Sequence, residues 1–164
     1  MNNYDLQTLS WPEFEDLTRD LLQCEFGVFI ESFTTGRDDG IDLRFAFDKD
    51  KKSIIQCKSM KNFSSLYNKL KKEQIKLANI KIERYYIATT VGLTPSNKNK
   101  IYQLFYPLIK NEADIFGRDD IVNLISKHPN IEEKYYKLWI TSTTILKKYL
   151  MQKITICQNF KKRK

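Results

Sequence analysis

Three polar residues stand where two strand-like segments should be apolar. Asp42 lies between Ile41 and Leu43 in Gly40-Ile41-Asp42-Leu43-Arg44-Phe45, and Gln56 and Lys58 follow Ile54-Ile55 in Ile54-Ile55-Gln56-Cys57-Lys58. Alternation along a strand sends Gln56 and Lys58 out of one face. A buried carboxylate and a buried ammonium are costly unless they pair or hold something. An acid on one strand, opposite an amide and a lysine on the next, could hold a divalent cation and a phosphate. Phosphodiester hydrolysis needs an activated water, charge stabilisation at phosphorus and help for the leaving oxygen, and magnesium supplies much of this. Magnesium takes hard oxygen ligands and keeps several waters, so one or two protein oxygens suffice. On this reading Asp42 is a direct ligand, the backbone carbonyl of Cys57 a second, and Gln56 offers a neutral oxygen. Lys58 orients the water and offsets phosphate charge. Glu15, beside the apolar face of a preceding helix, could reach the same place and bind through water.

Plainer readings stand beside these. Asp42 could flank a turn and pair with Arg37 or Arg44. Lys58 could be an edge lysine that discourages aggregation, although Ile54-Ile55 argues against an edge. Glu15 could be a solvated helix residue. Asp38 and Asp39 shape a loop or add an outer metal contact. Lys69, Lys71, Lys72 and Lys76 form a solvated helix face, with contact to a DNA backbone as the other reading. Tyr135, Tyr136 and Trp139 belong to a core or an interface rather than to base stacking.

The elements that must position these residues follow from periodicity and breakers. Ser10-Trp11-Pro12-Glu13 is a helix start, with Ser10 as cap, Pro12 in the first turn and Glu13 closing a capping box. Phe14, Leu17, Leu21 and Leu22 then recur at helical spacing. Strands are predicted over Val28–Phe33, Ile41–Phe47 and Ser53–Ser59, the last two joined by the charged turn 48–52. A lysine-rich helix covers 64–79, and Tyr85–Val91 is a central strand. Thr94-Pro95-Ser96 opens a helix that Pro107 bends or ends. A short strand over 114–116, a helix over Asp119–Lys127 stopped by His128-Pro129, and a long helical region over Ile131–Lys153 complete the chain. The order α-β-β-β-α-β-α-β-α implies a three-layer α/β sandwich with a mixed sheet and extra C-terminal helices. Residues 1–153 read as one domain and 154–164 as a basic tail.

The chain has 164 residues, 41% of them hydrophobic, which is enough for one packed core. No transmembrane run or signal peptide is visible. Three scattered cysteines, Cys24, Cys57 and Cys157, fit free thiols in a reducing cytoplasm. His128 is the single histidine, which argues against a zinc site or a histidine-based triad. The net charge of +8 is unevenly spread: residues 1–48 carry 3 basic and 11 acidic side chains, and residues 49–81 carry 10 and 2. The junction of these blocks falls between the two site strands. The last 18 residues hold 7 basic side chains and no acidic ones.

Glu15, then Gly40-Ile41-Asp42, then Gln56-Cys57-Lys58, resembles the PD-(D/E)xK nuclease superfamily and, more narrowly, its Mrr-like restriction endonuclease branch, where glutamine commonly replaces the second acid. The resemblance continues through Ala88-Thr89-Thr90-Val91-Gly92-Leu93-Thr94-Pro95. It implies a restriction-endonuclease-like fold and magnesium-dependent DNA cleavage, with manganese able to substitute. It gives Asp42 the metal-ligand role, Gln56 the place of the second acid, Lys58 that of the catalytic lysine, and Glu15 that of the acid on the first helix. Ile115-Phe116-Gly117-Arg118-Asp119-Asp120-Ile121 and Lys137-Leu138-Trp139 are similar to the end of nuclease domains fused to STAND-type NTPases in antiphage proteins. The expected activity is therefore a defence or restriction endonuclease of low sequence specificity. Double-stranded DNA is the expected substrate, and cutting both strands calls for a homodimer or higher assembly. A C-terminal NTPase sensor in a longer protein is a further expected partner, with no membrane association. The rivals are a non-catalytic nucleic-acid-binding module on the same fold and an oligomerisation domain.

Overall fold

The computed structural model describes residues 4–33, 42–46, 52–77, 82–140 and 150–151. Helix α1 spans Trp11–Phe26, and Glu13 accepts a hydrogen bond from the Ser10 backbone N–H at 2.8 Å, closing the expected capping box. Strands β1 (Glu31–Ser32), β2 (Leu43–Ala46) and β3 (Lys52–Lys58) follow, then α2 (Phe63–Leu77), β4 (Arg84–Thr89), α3 (Pro95–Phe105), β5 (Ile115–Phe116), α4 (Arg118–Lys127), α5 (Pro129–Lys134) and α6 (Lys137–Ile140).

The five strands form one sheet in the order β1-β2-β3-β4-β5. The pairs β1–β2 and β2–β3 are antiparallel, and β3–β4 and β4–β5 are parallel. The hairpin therefore supplies the antiparallel half and the helical crossovers supply the parallel half, as the element order predicts. Strand β3 is central, and every residue from Ser53 to Lys58 is buried.

Residue parity along β3 sorts two cores. Ile55 and Cys57 face α1 and α4, where they join Phe14, Leu17, Leu21, Leu43, Phe45 and Ile121. Ile54 faces α2 and α3, where it joins Leu66, Leu70, Tyr85, Ile101 and Phe105. This is the three-layer α/β/α sandwich, and it makes β3 the wall between the layers.

Two sequence expectations change. Among the described residues the strand over Val28–Phe33 contracts to Glu31–Ser32, which pair with Arg44 and Leu43. The helical region from Ile131 begins at Pro129 and breaks between Lys134 and Lys137. The break lets Tyr135 turn inward: it is buried, and its hydroxyl donates to Asp20 on α1 at 2.8 Å. Tyr136 is exposed instead. The side chain of Trp139, Asp38 and Asp39, Cys157 and the basic tail fall outside the described residues.

Three acids of the N-terminal block fasten the C-terminal helices. Glu13 pairs with Lys137 at 2.7 Å, Asp20 with Lys134 at 2.6 Å, and Glu25 with His128 at 2.8 Å. Lys69, Lys71, Lys72 and Lys76 on α2 are exposed, as a solvated face requires. No helix among the described residues is long and apolar enough to cross a membrane.

Candidate active site

Asp42 lies one residue before β2, and the pairing of Leu43 with Ile55 puts it opposite Gln56. Three donors gather on one of its carboxylate oxygens. The Cys57 backbone N–H donates to Oδ2 at 2.8 Å, the Gln56 Nε2 amide donates to the same oxygen, and Lys58 Nζ stands 3.7 Å from it. The Lys58 and Asp42 side chains keep only 10% and 9% of their exposure. Lys58 thus faces the same side of the sheet as Asp42, the arrangement a metal-phosphate site requires.

Burial is the largest influence on Asp42 and raises its carboxyl above the ordinary range. Lys58 and the Cys57 N–H pull it down, and the negative charge of Glu73 pushes it up. The Cys57 thiol points to the opposite core. Burial there, reinforced by the Asp42 and Glu15 charges, pushes it well above the usual thiol range, so it stays neutral.

Gln56 is oriented by two partners. An ionised carboxylate only accepts hydrogen bonds, so the amide turns its nitrogen toward Asp42. Its oxygen then faces Tyr85, whose hydroxyl donates to Gln56 Oε1 at 3.3 Å. Tyr85 is fully buried and stacks on Phe105 with ring centroids 5.0 Å apart. The neutral oxygen that the sequence offers to a metal is therefore turned toward Tyr85.

The end of β3 is pinned from β4. Thr89 Oγ1 donates to the Lys58 carbonyl at 2.7 Å, and the Thr90 N–H reaches the same oxygen at 3.3 Å. Gln7 Nε2 adds bonds to the Met60 carbonyl at 3.0 Å and to Thr90 Oγ1 at 2.9 Å. Lys58 accordingly projects from a fixed backbone.

Glu15 on α1 approaches from the other side of the sheet. Its Oε1 is buried with no hydrogen-bond partner among the described residues. Its carboxyl is raised to about 7, first by burial and then by the Asp42 charge, with Lys58 opposing. A raised folded-state value means that the folded protein binds the proton more tightly than the unfolded chain. Stability from this group is therefore lost as pH rises from about 4.5 through about 7. Glu15→Gln is expected to stabilise the metal-free protein by about 1–2 kcal/mol at pH 8 and hardly at all at pH 5, after allowance for partial exposure. The buried polar atom is common to both side chains, so thermal unfolding at the two pH values isolates the charge.

Glu73 is a buried acid that the sequence does not announce. It sits on α2 and is 6% exposed. The signal is its spacing: Leu66, Leu70, Glu73 and Leu77 form the buried stripe of that helix. Reading α2 by its lysines hides an acid on the opposite face.

The donor set is carboxylate and amide, which suits a hard cation and not zinc. The Glu15 oxygen left without a partner among the described residues points to a cation or water beside Asp42 and Lys58. Among the described residues no three acid, histidine or cysteine side chains come close enough to enclose an ion alone. Such a site fits magnesium holding much of its own water. His128, hydrogen-bonded to Glu25, takes no part.

The model of a restriction endonuclease family, the Mrr-type catalytic domain, matches residues 6–103. The chain belongs to this family. The match carries Glu15, Asp42, Gln56 and Lys58 and runs from α1 into α3, so the nuclease reading and the restriction-endonuclease-like fold rest on the same segment. An uncharacterised protein, y4cD, of Sinorhizobium fredii (strain NBRC 101917 / NGR234) is 39% identical over 145 residues. That alignment covers 87% of this chain and 22% of the relative, so the chain spans under a quarter of the relative's length.

Proposed function

We propose that this nuclease-family domain is a magnesium-dependent endonuclease acting on double-stranded DNA. The convergence of Gln56, the Cys57 N–H and Lys58 on one Asp42 oxygen carries the reading. It is an acid held in one place beside a buried ammonium, on one face of a central strand. Magnesium bound there would stabilise charge at the scissile phosphate and make water a better nucleophile. Asp42 and the Cys57 carbonyl would hold it, with Glu15 reaching it through water. Lys58 offsets phosphate charge and orients the attacking water, and its pinned backbone removes the cost of finding that position. Gln56 fixes the Asp42 carboxylate in the orientation that leaves Lys58 beside it.

Cleavage of both strands calls for two such sites, so the active form is a homodimer or larger assembly. Nothing in the sequence resembles a base-reading module, which favours low intrinsic specificity. A cytoplasmic defence or restriction role, with a C-terminal NTPase sensor as partner in a longer protein, is the biological setting that this nuclease class suggests.

The experiment is nicking of supercoiled plasmid with magnesium, repeated with manganese, for the wild type and Lys58→Ala. Nicking by the wild type that falls by about 10²-fold or more in the variant is the expected result. Equal rates for the two proteins would remove Lys58 from the chemistry. DNA binding by both with no cutting in either metal would replace the enzyme by a non-catalytic binding module.

A further inference from the structure

We infer that the DNA backbone is held in a channel between β2 and α2, where Lys69, Lys72 and Lys76 of α2 and Lys52 of β3 bind its phosphates on the approach to Asp42. The inference rests on the nuclease reading above and adds to it the path of the substrate.

The channel follows from which strands the helices cover. On the face that carries Gln56 and Lys58, α2 and α3 share a core with Ile54, Tyr85, Ile87 and Ile115, from β3, β4 and β5. Helix α3 lies beside α2 and against β5. The buried side chains of β2, Leu43 and Phe45, join the opposite core with α1. On the α2 side Arg44 is half-buried and Ala46 exposed, so no helix among the described residues roofs β2 there. Lys52 pairs opposite Ala46, is exposed, and by alternation rises from the same face as Gln56 and Lys58.

Handedness puts the lysines on this open side. The crossover from β3 through α2 to its parallel neighbour β4 takes the right-handed form. Seen down α2 from its N-terminus, with the sheet uppermost, β2 is then on the left and α3 on the right. Successive helical residues advance clockwise by about 100°. Lys69, Lys72 and Lys76 therefore fall to the left of the Leu66, Leu70 and Leu77 stripe, and Tyr67 falls to the right. Tyr67 does pack against the core that α2 shares with α3.

Charge completes the case. The single acid of α2, Glu73, is buried, so its exposed surface carries lysines and no carboxylate. Lysines of the later helices are engaged in ion pairs: Lys98 with Asp120, Lys127 with Glu25, Lys134 with Asp20 and Lys137 with Glu13. Among the described residues Lys69 and Lys72 meet no carboxylate, and Lys76 meets Glu73 at 3.5 Å. A surface kept only for solubility interleaves the two signs. The row from Lys69 to Lys76 is about 10 Å long, which matches three phosphate intervals of one strand at about 3.4 Å each.

The test is binding of a short fluorescently labelled duplex in EDTA over a series of salt concentrations, read by anisotropy, beside plasmid nicking by the wild type in magnesium. Lys69→Gln/Lys72→Gln/Lys76→Gln is compared with Lys110→Gln/Lys127→Gln/Lys134→Gln, which removes equal charge from exposed lysines outside the channel. Glutamine is about as good a helix former as lysine, so α2 persists. The α2 triple variant is expected to bind about 10²-fold more weakly at about 0.1 M salt and to lower the salt slope by about 2.7, at about 0.9 for each phosphate, while the control triple binds like the wild type. Equal losses in the two triples, or an α2 triple that binds like the wild type, would overturn the channel and leave the nuclease reading standing while the wild type nicks plasmid. A wild type that neither binds the duplex nor nicks plasmid would overturn both.

Discussion

Asp42→Asn is expected to lower the magnesium-dependent nicking rate by about 10²–10³-fold, the scale seen when one preorganised charge-bearing contact is removed from a reacting centre. The substitution keeps shape and one acceptor oxygen, so the Cys57 N–H can remain bonded. It removes the charge, and it places an amide where Gln56 Nε2 and Lys58 Nζ both seek an acceptor. Lys58 then keeps its burial and loses its counterion. Single-turnover rates at saturating metal, with circular dichroism to confirm folding, make the comparison. A rate within about tenfold of the wild type, equal to about 1.4 kcal/mol, would show that Asp42 is a structural partner of Lys58 and not a metal ligand.

Asp114→Ala is expected to cost about 3 kcal/mol of stability, lowering Tm by roughly 6–12 °C, without changing the nicking rate of the folded protein. Asp114 is 3% exposed and serves four donors. Arg84 reaches it in a fork, Nη2 to Oδ1 at 2.7 Å and Nε to Oδ2 at 3.1 Å. The backbone N–H groups of Lys110 and Asn111 reach Oδ2 at 3.0 and 3.2 Å. Arg84 is 38% exposed and can return to water, so most of the cost lies in the two stranded N–H groups. Arg84 pairs with Ser53 and Thr89 with Lys58, so the fork sits at the opposite end of the sheet from the site, about 16 Å along β4. Thermal unfolding and plasmid nicking measured on one preparation separate the two ends. A Tm change under about 2 °C, no more than about 1 kcal/mol for a chain of this size, would show that the fork is solvated in practice.

The parts of this molecule legible in its sequence are those governed by local rules. The capping box at Ser10 and Glu13 and the helical spacing of Phe14, Leu17 and Leu21 specify α1 without reference to the rest of the chain. The parity of Ile54, Gln56 and Lys58 puts the site on one face of β3, and the paired segments around it make Asp42 its neighbour. What escapes the reading depends on distant partners. The break before Lys137 answers a demand from Asp20 for the Tyr135 hydroxyl, and no spacing within residues 131–153 reveals it. The orientation of Gln56 is decided by Tyr85, which arrives only when β4 pairs with β3. Glu73 occupies a leucine position in a 3.6-residue pattern, on the face opposite the four lysines that dominate the composition of the same helix.

The alternation along β3 also has a consequence for inheritance. Single-residue substitutions there alter one core or the other. Loss or gain of one residue between Ile54 and Lys58 would exchange the two sets, sending the ammonium into the layer of Phe14 and Leu17 and the thiol toward Asp42. Lineages of this fold should therefore drift in the identity of these residues while keeping their number, so that the length of this short segment outlasts its spelling.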